Sequence, residues 1–469
     1  MALAIKPSPS RVTPPGPGAA APVAIAAASP IAIMLVVMLG NFLGPLYSST
    51  ANVVIPNLVA TFGSDVDTIE WVVTGYMLGY SITLPLAGWL ADTYGRKRMF
   101  LIGLVMFTAF SICASIAWDA TSLIGFRILQ AAGGGIVSPT GMAIITDIIP
   151  PKQRGSALGM WGMGMMLAPA FGPWLSGLLV DNFDNWRLIF WLGVPFGVAG
   201  IIAALRILPS VEDLPRKDPE FDYLGFALLS SALTLFLVPL TQGNRVGWDD
   251  PWIACSIIAS ALLFGGFLWQ ELHTDAPMLD LRLFNDRVFS IAVGLRSVLG
   301  MGYYFSLFLL PLFTQTILGY DPTQAGLILM PAGLVMGLLM PISGAIADRI
   351  GARVLVCAGM AIVAYGTFLF AHIDVDWSMA RITVDNMIRS GAIGILFTPL
   401  TAAALTNIPR NRIGSASGIL NTVWQVGGSL GIAVGQAYLT AQSSNRYIDV
   451  AASLSSSHIP VRTFLQHFA

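Results

Sequence analysis

Gly88-Trp-Leu-Ala-Asp92-Thr-Tyr-Gly95-Arg96-Lys97-Arg98 stands between two long apolar stretches, and the second half of the chain contains its echo, Gly344-Ala-Ile-Ala-Asp348-Arg-Ile-Gly351-Ala. The glycines permit a tight turn between helices. The basic run Arg96, Lys97 and Arg98 suits a turn held at an anionic membrane surface. Asp92 can pair with that run or sit at a helix N-terminus. A loop needed only for topology does not require the Gly-Asp-Gly spacing to recur, so the repetition favours a functional loop. A second pair of echoes follows, Pro151-Lys-Gln-Arg154-Gly-Ser-Ala-Leu-Gly159 and Pro409-Arg-Asn-Arg412-Ile-Gly-Ser-Ala-Ser-Gly418. Arg127 and Arg389 each open a glycine-rich apolar run that later carries a proline, Pro139 or Pro399. Repeated halves around a central path are the architecture of alternating access.

The setting of these repeats is lipid. Of 469 residues, 55% are hydrophobic and 10% charged, against about 25% charged in a soluble domain, and the mean hydropathy is +0.74. A helix needs about 20 mainly apolar residues to cross a bilayer. Such runs occur at 31–58, 69–90, 98–117, 121–147, 155–180, 187–208, 222–241, 252–271, 288–317, 324–347, 353–372, 382–406 and 413–440, which makes thirteen predicted spans in an all-α polytopic membrane protein. With the N-terminus in the cytoplasm, nearly all loop arginines and lysines fall inside, and the outer loops hold only Arg187, Arg245 and Arg381. That asymmetry sets the orientation and points to the cell (inner or plasma) membrane.

Five regions follow. Residues 1–30, rich in Pro, Ala, Ser and Gly, read as a disordered cytoplasmic tail ahead of an uncleaved first helix. Residues 31–208 form a first six-helix half, 209–272 a linker with two extra helices, 273–440 a second half with five helices, and 441–469 a polar C-terminal segment. The net charge of −1 suggests no nucleic-acid partner. Cys113, Cys255 and Cys357 all sit in apolar runs and read as small core residues, not a disulfide or metal set. No phosphate-binding G-x-x-x-x-G-K-[ST] loop, HExxH pattern or repeated pore loop occurs, so neither a nucleotide-driven pump, a metal-dependent membrane enzyme nor a channel is indicated, and no metal or cofactor is expected.

Within the spans, polar side chains are the candidates for function. Arg127, followed at 130 by Gln130, lies inside the fourth span, where a charge is costly and by default functional. Snorkelling is the bland alternative, because the span end is about six residues, roughly 9 Å, away. Ala168-Pro169-Ala170-Phe171-Gly172-Pro173, with Gly177 one turn on, interrupts the fifth span with two prolines and offers small residues for close packing. Tyr47, Asn52, Arg296, Tyr303, Tyr304, Gln315, Arg389, Trp424 and Gln425 are candidate cavity residues. For the aromatics a lipid-facing position is an equal alternative. The segment scan places no acid deep within a span.

The loop Gly88–Arg98 resembles the signature loop of the major facilitator superfamily, and Arg127-Ile-Leu-Gln130 resembles its second motif. Ala-Pro-x-x-Gly-Pro at 168–173 is similar to the motif of its exporters. Trp186-Arg187-x-Ile-Phe190, Phe221-Asp222-x-x-Gly225 and Pro311-Leu-Phe-Thr-Gln315 are similar to the fourteen-spanner drug:proton antiporters of the EmrB/QacA type. The resemblance implies a major facilitator fold with two inserted helices. It implies a latch role for Gly88, Asp92, Gly95, Arg96, Lys97 and Arg98 with the partner set Gly344, Asp348 and Gly351. It ties Arg127, Gln130 and Arg389 to coupling, and it implies export of drugs or amphipathic metabolites in exchange for protons. The expected partners are the bilayer, a small-molecule substrate, protons and a periplasmic adaptor protein. The chain departs from the family at three positions: Tyr47 replaces an aspartate, Gly193 an asparagine and Trp424 an arginine. A fourteenth span is also missing. An uncoupled carrier of a small organic anion and a non-functional truncated transporter are the alternatives.

Overall fold

The computed structural model describes residues 29–50, 54–183, 185–209, 221–274, 277–374 and 376–453, and among them it contains helices and no strand. A first set comprises α1 (Pro30–Thr50), α2 (Ile55–Phe62), α3 (Val66–Tyr94), α4 (Arg96–Ser115), α5 (Ala120–Ile148), α6 (Arg154–Phe183), α7 (Arg187–Leu192) and α8 (Val194–Ile207). The pair α9 (Tyr223–Val246) and α10 (Pro251–His273) follows. A second set comprises α11 (Arg287–Thr316), α12 (Pro322–Ile350), α13 (Ala352–Phe370), α14 (Met379–Thr406) and α15 (Ile413–Ser453). The predicted tail at 1–28, the linker at 210–220 and the chain end at 454–469 lie outside the described residues.

Among the described residues, ten helical runs, with α7 and α8 taken as one, are long and apolar enough to cross a membrane. The other three predicted runs are the long helices α3, α6 and α15. All three pack across from one set to the other, α3 on α15 and α6 on α12. The surface is apolar in turn: Ile258, Leu262, Val298 and Phe368 are all exposed. Cys255 and Cys357 are exposed too, which corrects their reading as core residues; Cys113 is half-buried.

Local chemistry explains where the runs break. Within the predicted run 31–58, α1 is described as far as Thr50, residues 51–53 lie outside the described residues, and a separate helix starts at Ile55 with a proline in its first turn, where the missing N–H costs nothing. The run 187–208 is interrupted at Gly193, ahead of Pro195. The segment 441–453 is helical because no proline or glycine intervenes after Gly435, so loss of apolar character ends the membrane fit but not the helix. Asp65, Asp119, Asp250, Asp286 and Asp321 each accept backbone N–H bonds at the start of a helix. The scarce acids are thus spent largely on caps. The amide of Ser122 holds the Asp119 carboxyl below its ordinary range, and the amide of Phe289, then the Asn407 side chain, does the same for Asp286.

A single glycine joins α3 to α4 and another joins α12 to α13. Gly95 has φ +93° and Gly351 φ +86°, a region that a β-carbon disfavours by about 1–2 kcal/mol. Gly351 has open space where a side chain would point, so its constraint is conformational. Gly351→Ala should therefore lower stability by about 1–2 kcal/mol, read as a fall in the thermal unfolding midpoint in detergent; an unchanged midpoint would show that the turn tolerates an L side chain.

Candidate functional site

The two sets meet at one end through a pair of equivalent contacts. Asp92, at the end of α3, accepts bonds from the backbone N–H of Gly414 and Ser415, both at 3.1 Å, in the first turn of α15. Asp348, at the end of α12, accepts from Gly155 at 2.9 Å and Ser156 at 3.1 Å, in the first turn of α6. Each carboxylate therefore caps a helix belonging to the opposite set, where unpaired N–H groups and the helix dipole both favour an anion. Asp92 also pairs with Arg96 at 3.3 Å, and Arg96 reaches Asp147 at 3.1 Å. Gly88 and Gly344 allow the approach. A β-carbon on Gly88 would collide with the Gly414 carbonyl, and one on Gly344 with that of Gly155. Lys97 donates to the carbonyls of Leu205 and Leu208 at the end of α8, while Arg98 is exposed. The amide donors at 155–156 and 414–415 were not among the predicted site residues. Their signal was the second repeat, Arg-Gly-Ser-Ala against Arg-Ile-Gly-Ser-Ala.

Arg127 is fully buried and does not snorkel. Its guanidinium donates to Gln130 at 2.8 Å, to the Tyr47 carbonyl at 2.9 Å and to the Val72 carbonyl at 3.3 Å, and lies 4.0 Å from the centre of the Tyr76 ring. Tyr47 is not a cavity residue. Its hydroxyl donates to the Phe190 carbonyl at 2.7 Å and accepts from the Gly193 amide at 2.8 Å, with Ser111 at 3.1 Å. A side chain at Gly193 would run into the Tyr47 ring. The two departures at 47 and 193 are thus one: the larger ring at 47 occupies the space that the glycine leaves.

Other predicted residues do converge. Pro169 and Ala170 on α6 share a void of about 30 Å³ with Tyr303 on α11 and with Asn386, Arg389 and Ser390 on α14, room for about one water. Ala168 is buried, Gly172 packs its backbone against Leu46 and Ser49 of α1, and Pro173 and Gly177 continue α6. Arg389 donates to Asn386 at 3.2 Å. Tyr303 and Tyr304 pack on Trp424, and the Tyr304 hydroxyl donates to Gln425 at 3.4 Å. Gln315 is exposed in the last turn of α11, which removes it from the cavity set, and Asn52 lies outside the described residues. One acid does lie within a span: Asp385 is buried in α14, one turn before Arg389. A larger groove of about 690 Å³ lies between α11, α13 and α14, is lined mainly by apolar side chains and has Arg389 at one edge. Among the described residues no group of three His, Cys, Asp or Glu is placed to hold a metal ion.

The sequence model described as Major Facilitator Superfamily matches residues 37–432. The chain belongs to the Major Facilitator Superfamily. It is an integral, multi-pass membrane transporter, and its family indicates transport, not catalysis. It is 32% identical over 425 residues to the uncharacterized MFS-type transporter YhcA of Bacillus subtilis, covering 91% of this chain and 79% of that protein. It is also 32% identical over 403 residues to the multidrug export protein EmrB of Haemophilus influenzae, covering 85% and 78%. The proton:xylose symporter XylE shares the fold with a TM-score of 0.63 at 15% identity, over 89% of this chain and 90% of that one.

Two outcomes follow from the geometry. Asp92→Ala removes two charge-assisted bonds and a partner of Arg96, so opening at this end should become at least tenfold easier, at roughly 1.5–3 kcal/mol per bond. Maleimide labelling of a cysteine placed at Ser156 reads this; unchanged labelling would refute the latch. Tyr47→Phe strands the Gly193 amide, while the Phe190 carbonyl keeps its bond from Ser111, and should lower stability by about 1–3 kcal/mol, measured as the detergent unfolding midpoint.

Proposed function

We propose that this transporter exports drugs or small amphipathic metabolites by alternating access, in exchange for protons. The observation that carries the proposal is the pair of aspartate caps across the two sets, which closes one end, while no equivalent pair is found at the other end among the described residues. The breakable contact is electrostatic and lies at a helix end, where a small rotation of one set separates donor from acceptor. The position of Pro169 and Ala170 against Arg389 supports a path between the sets, and the printed name of the Haemophilus influenzae relative supports drugs as cargo. The concentration of basic residues at the Asp92 end supports a cytoplasmic location for that end and for the N-terminus, in the cell membrane. The boundaries 31–208, 209–272 and 273–440 belong to the same proposal, as do the fourteen-spanner subtype and a periplasmic adaptor. The groove beside α11 and α13 lies where the first set has α8 packed on α1 and α4, and no counterpart of α8 stands there among the described residues.

Tyr47 is a poor proton carrier, since its hydroxyl already serves three partners. Asp385, buried one turn before Arg389, is the carboxylate we assign to coupling instead. Expression in a host lacking its own exporters, with dye efflux followed before and after collapse of the proton gradient, tests the proposal. Wild type should expel dye only while the gradient stands. Arg127→Ala should abolish efflux with protein still in the membrane, and Asp385→Asn should leave efflux no longer driven by the gradient. Gradient-driven efflux that survives both changes refutes the coupling scheme.

A further inference from the structure

Three arginines lie within the spans, and they differ in what their side chains have left to give. Each guanidinium nitrogen of Arg127 donates to a protein group. Arg389 holds Asn386 through Nη2 and leaves one nitrogen, Nε, without a partner among the described residues. Arg296, on α11, is 1% exposed and makes one hydrogen bond, from Nη1 to the Thr401 hydroxyl. Its Nε and Nη2 are buried and have no hydrogen-bond partner among the described residues, and no carboxylate there lies within ion-pair distance. A bare cation inside a membrane helix is costly and is retained for a reason.

The surroundings hold the guanidinium in one pose. Thr401 passes its own proton to the Phe397 carbonyl at 2.8 Å, so its lone pair faces Nη1. The Phe397 ring lies under the guanidinium, 4.2 Å from its centre, and the Trp424 ring is 6.0 Å away. With one face stacked and Nη1 engaged, the edge left vacant is the one carrying Nε–H and Nη2–H. Those two parallel donors match the two oxygens of a carboxylate. Phe397 is also stacked with Trp161 of α6, at 6.3 Å between ring centres. The aromatic cluster around the guanidinium therefore adjoins the contact between the two sets. Arg296 is nine residues into α11, roughly 14 Å from the Asp92 end at 1.5 Å per residue. Separation of the sets at that end would part Trp161 from Phe397 and uncover the guanidinium.

We propose that Arg296 is a binding site for an organic carboxylate with a planar aromatic body, its oxygens on Nε and Nη2 and its ring among Phe397, Trp424 and Trp161. The assignment names the substrate class for the transport function proposed above and rests on that reading. An arginine serves here and a lysine does not, because a point charge lacks the paired donors.

The test uses the full chain, purified into lipid nanodiscs, with naphthalene-2-carboxylate and its neutral amide as probes in equilibrium binding. Wild type should bind the carboxylate at least tenfold more tightly than the amide, the discrimination expected of a charge-assisted pair. Arg296→Gln should abolish the difference by weakening the carboxylate alone, and Arg296→Lys should lose most of it. A second measurement needs no ligand. Arg296→Met removes an uncompensated buried charge, so the unfolding midpoint of the empty protein should rise; an arginine kept for structure would give a fall. Equal binding of the two probes by wild type, discrimination that persists in Arg296→Gln, or a lowered midpoint for Arg296→Met overturns the site. Binding is read without flux, so the two proposals fail separately. Lost discrimination with dye efflux intact removes the site alone, and intact discrimination without any efflux removes the transport scheme alone.

Discussion

A carboxylate seated on the N-terminus of a helix from the other half holds this structure in its closed arrangement. Asp92 on α15 and Asp348 on α6 are the same interaction made twice, and the rest of the interface is shaped around them. Glycines at 88 and 344 bring backbone against backbone so that the carboxylates can reach. Glycines at 95 and 351 turn the chain immediately afterwards in a conformation closed to other residues. The contact suits a reversible gate: charge-assisted and directional, it is strong when aligned and weak once the helix end moves away by a few ångströms.

Polar residues within the spans divide by how completely they are satisfied. Arg127, Gln130 and Tyr47 form a neutral-plus-cation network in which each guanidinium nitrogen and the phenol hydroxyl has a protein partner, and the Tyr47 ring fits because position 193 has no side chain. Such a network stiffens the first half and pins α1 to α5. On the other side, Arg296 keeps two donors unspent and Asp385 stands buried beside Arg389.

Much of the fold was legible in the chain. The scarcity of charge and the recurrence of apolar runs imposed a helical bundle in lipid, and the Gly-Asp-Gly spacing marked both turns. The new helix start at Ile55 and the interruption at Gly193 were less visible, since hydropathy averages over a single proline or glycine. Asp385 escaped notice because it sits near the start of its run, where an acid looks like an end residue. Gln315 and Tyr47 looked like cavity residues because a polar group inside an apolar run carries no sign of which way it faces.

The sequence by itself determined the solvent, the helical class and the repeated turns, because these depend on composition and local spacing, which need no knowledge of neighbours. Only the tertiary structure decided that Asp92 meets Gly414, that Tyr47 is locked by Phe190 and Gly193, and that Nε and Nη2 of Arg296 are buried with no hydrogen-bond partner among the described residues. Each of these joins residues far apart in the chain. Whether a buried polar group is satisfied or waiting depends on the atoms that close around it, and those come from other helices.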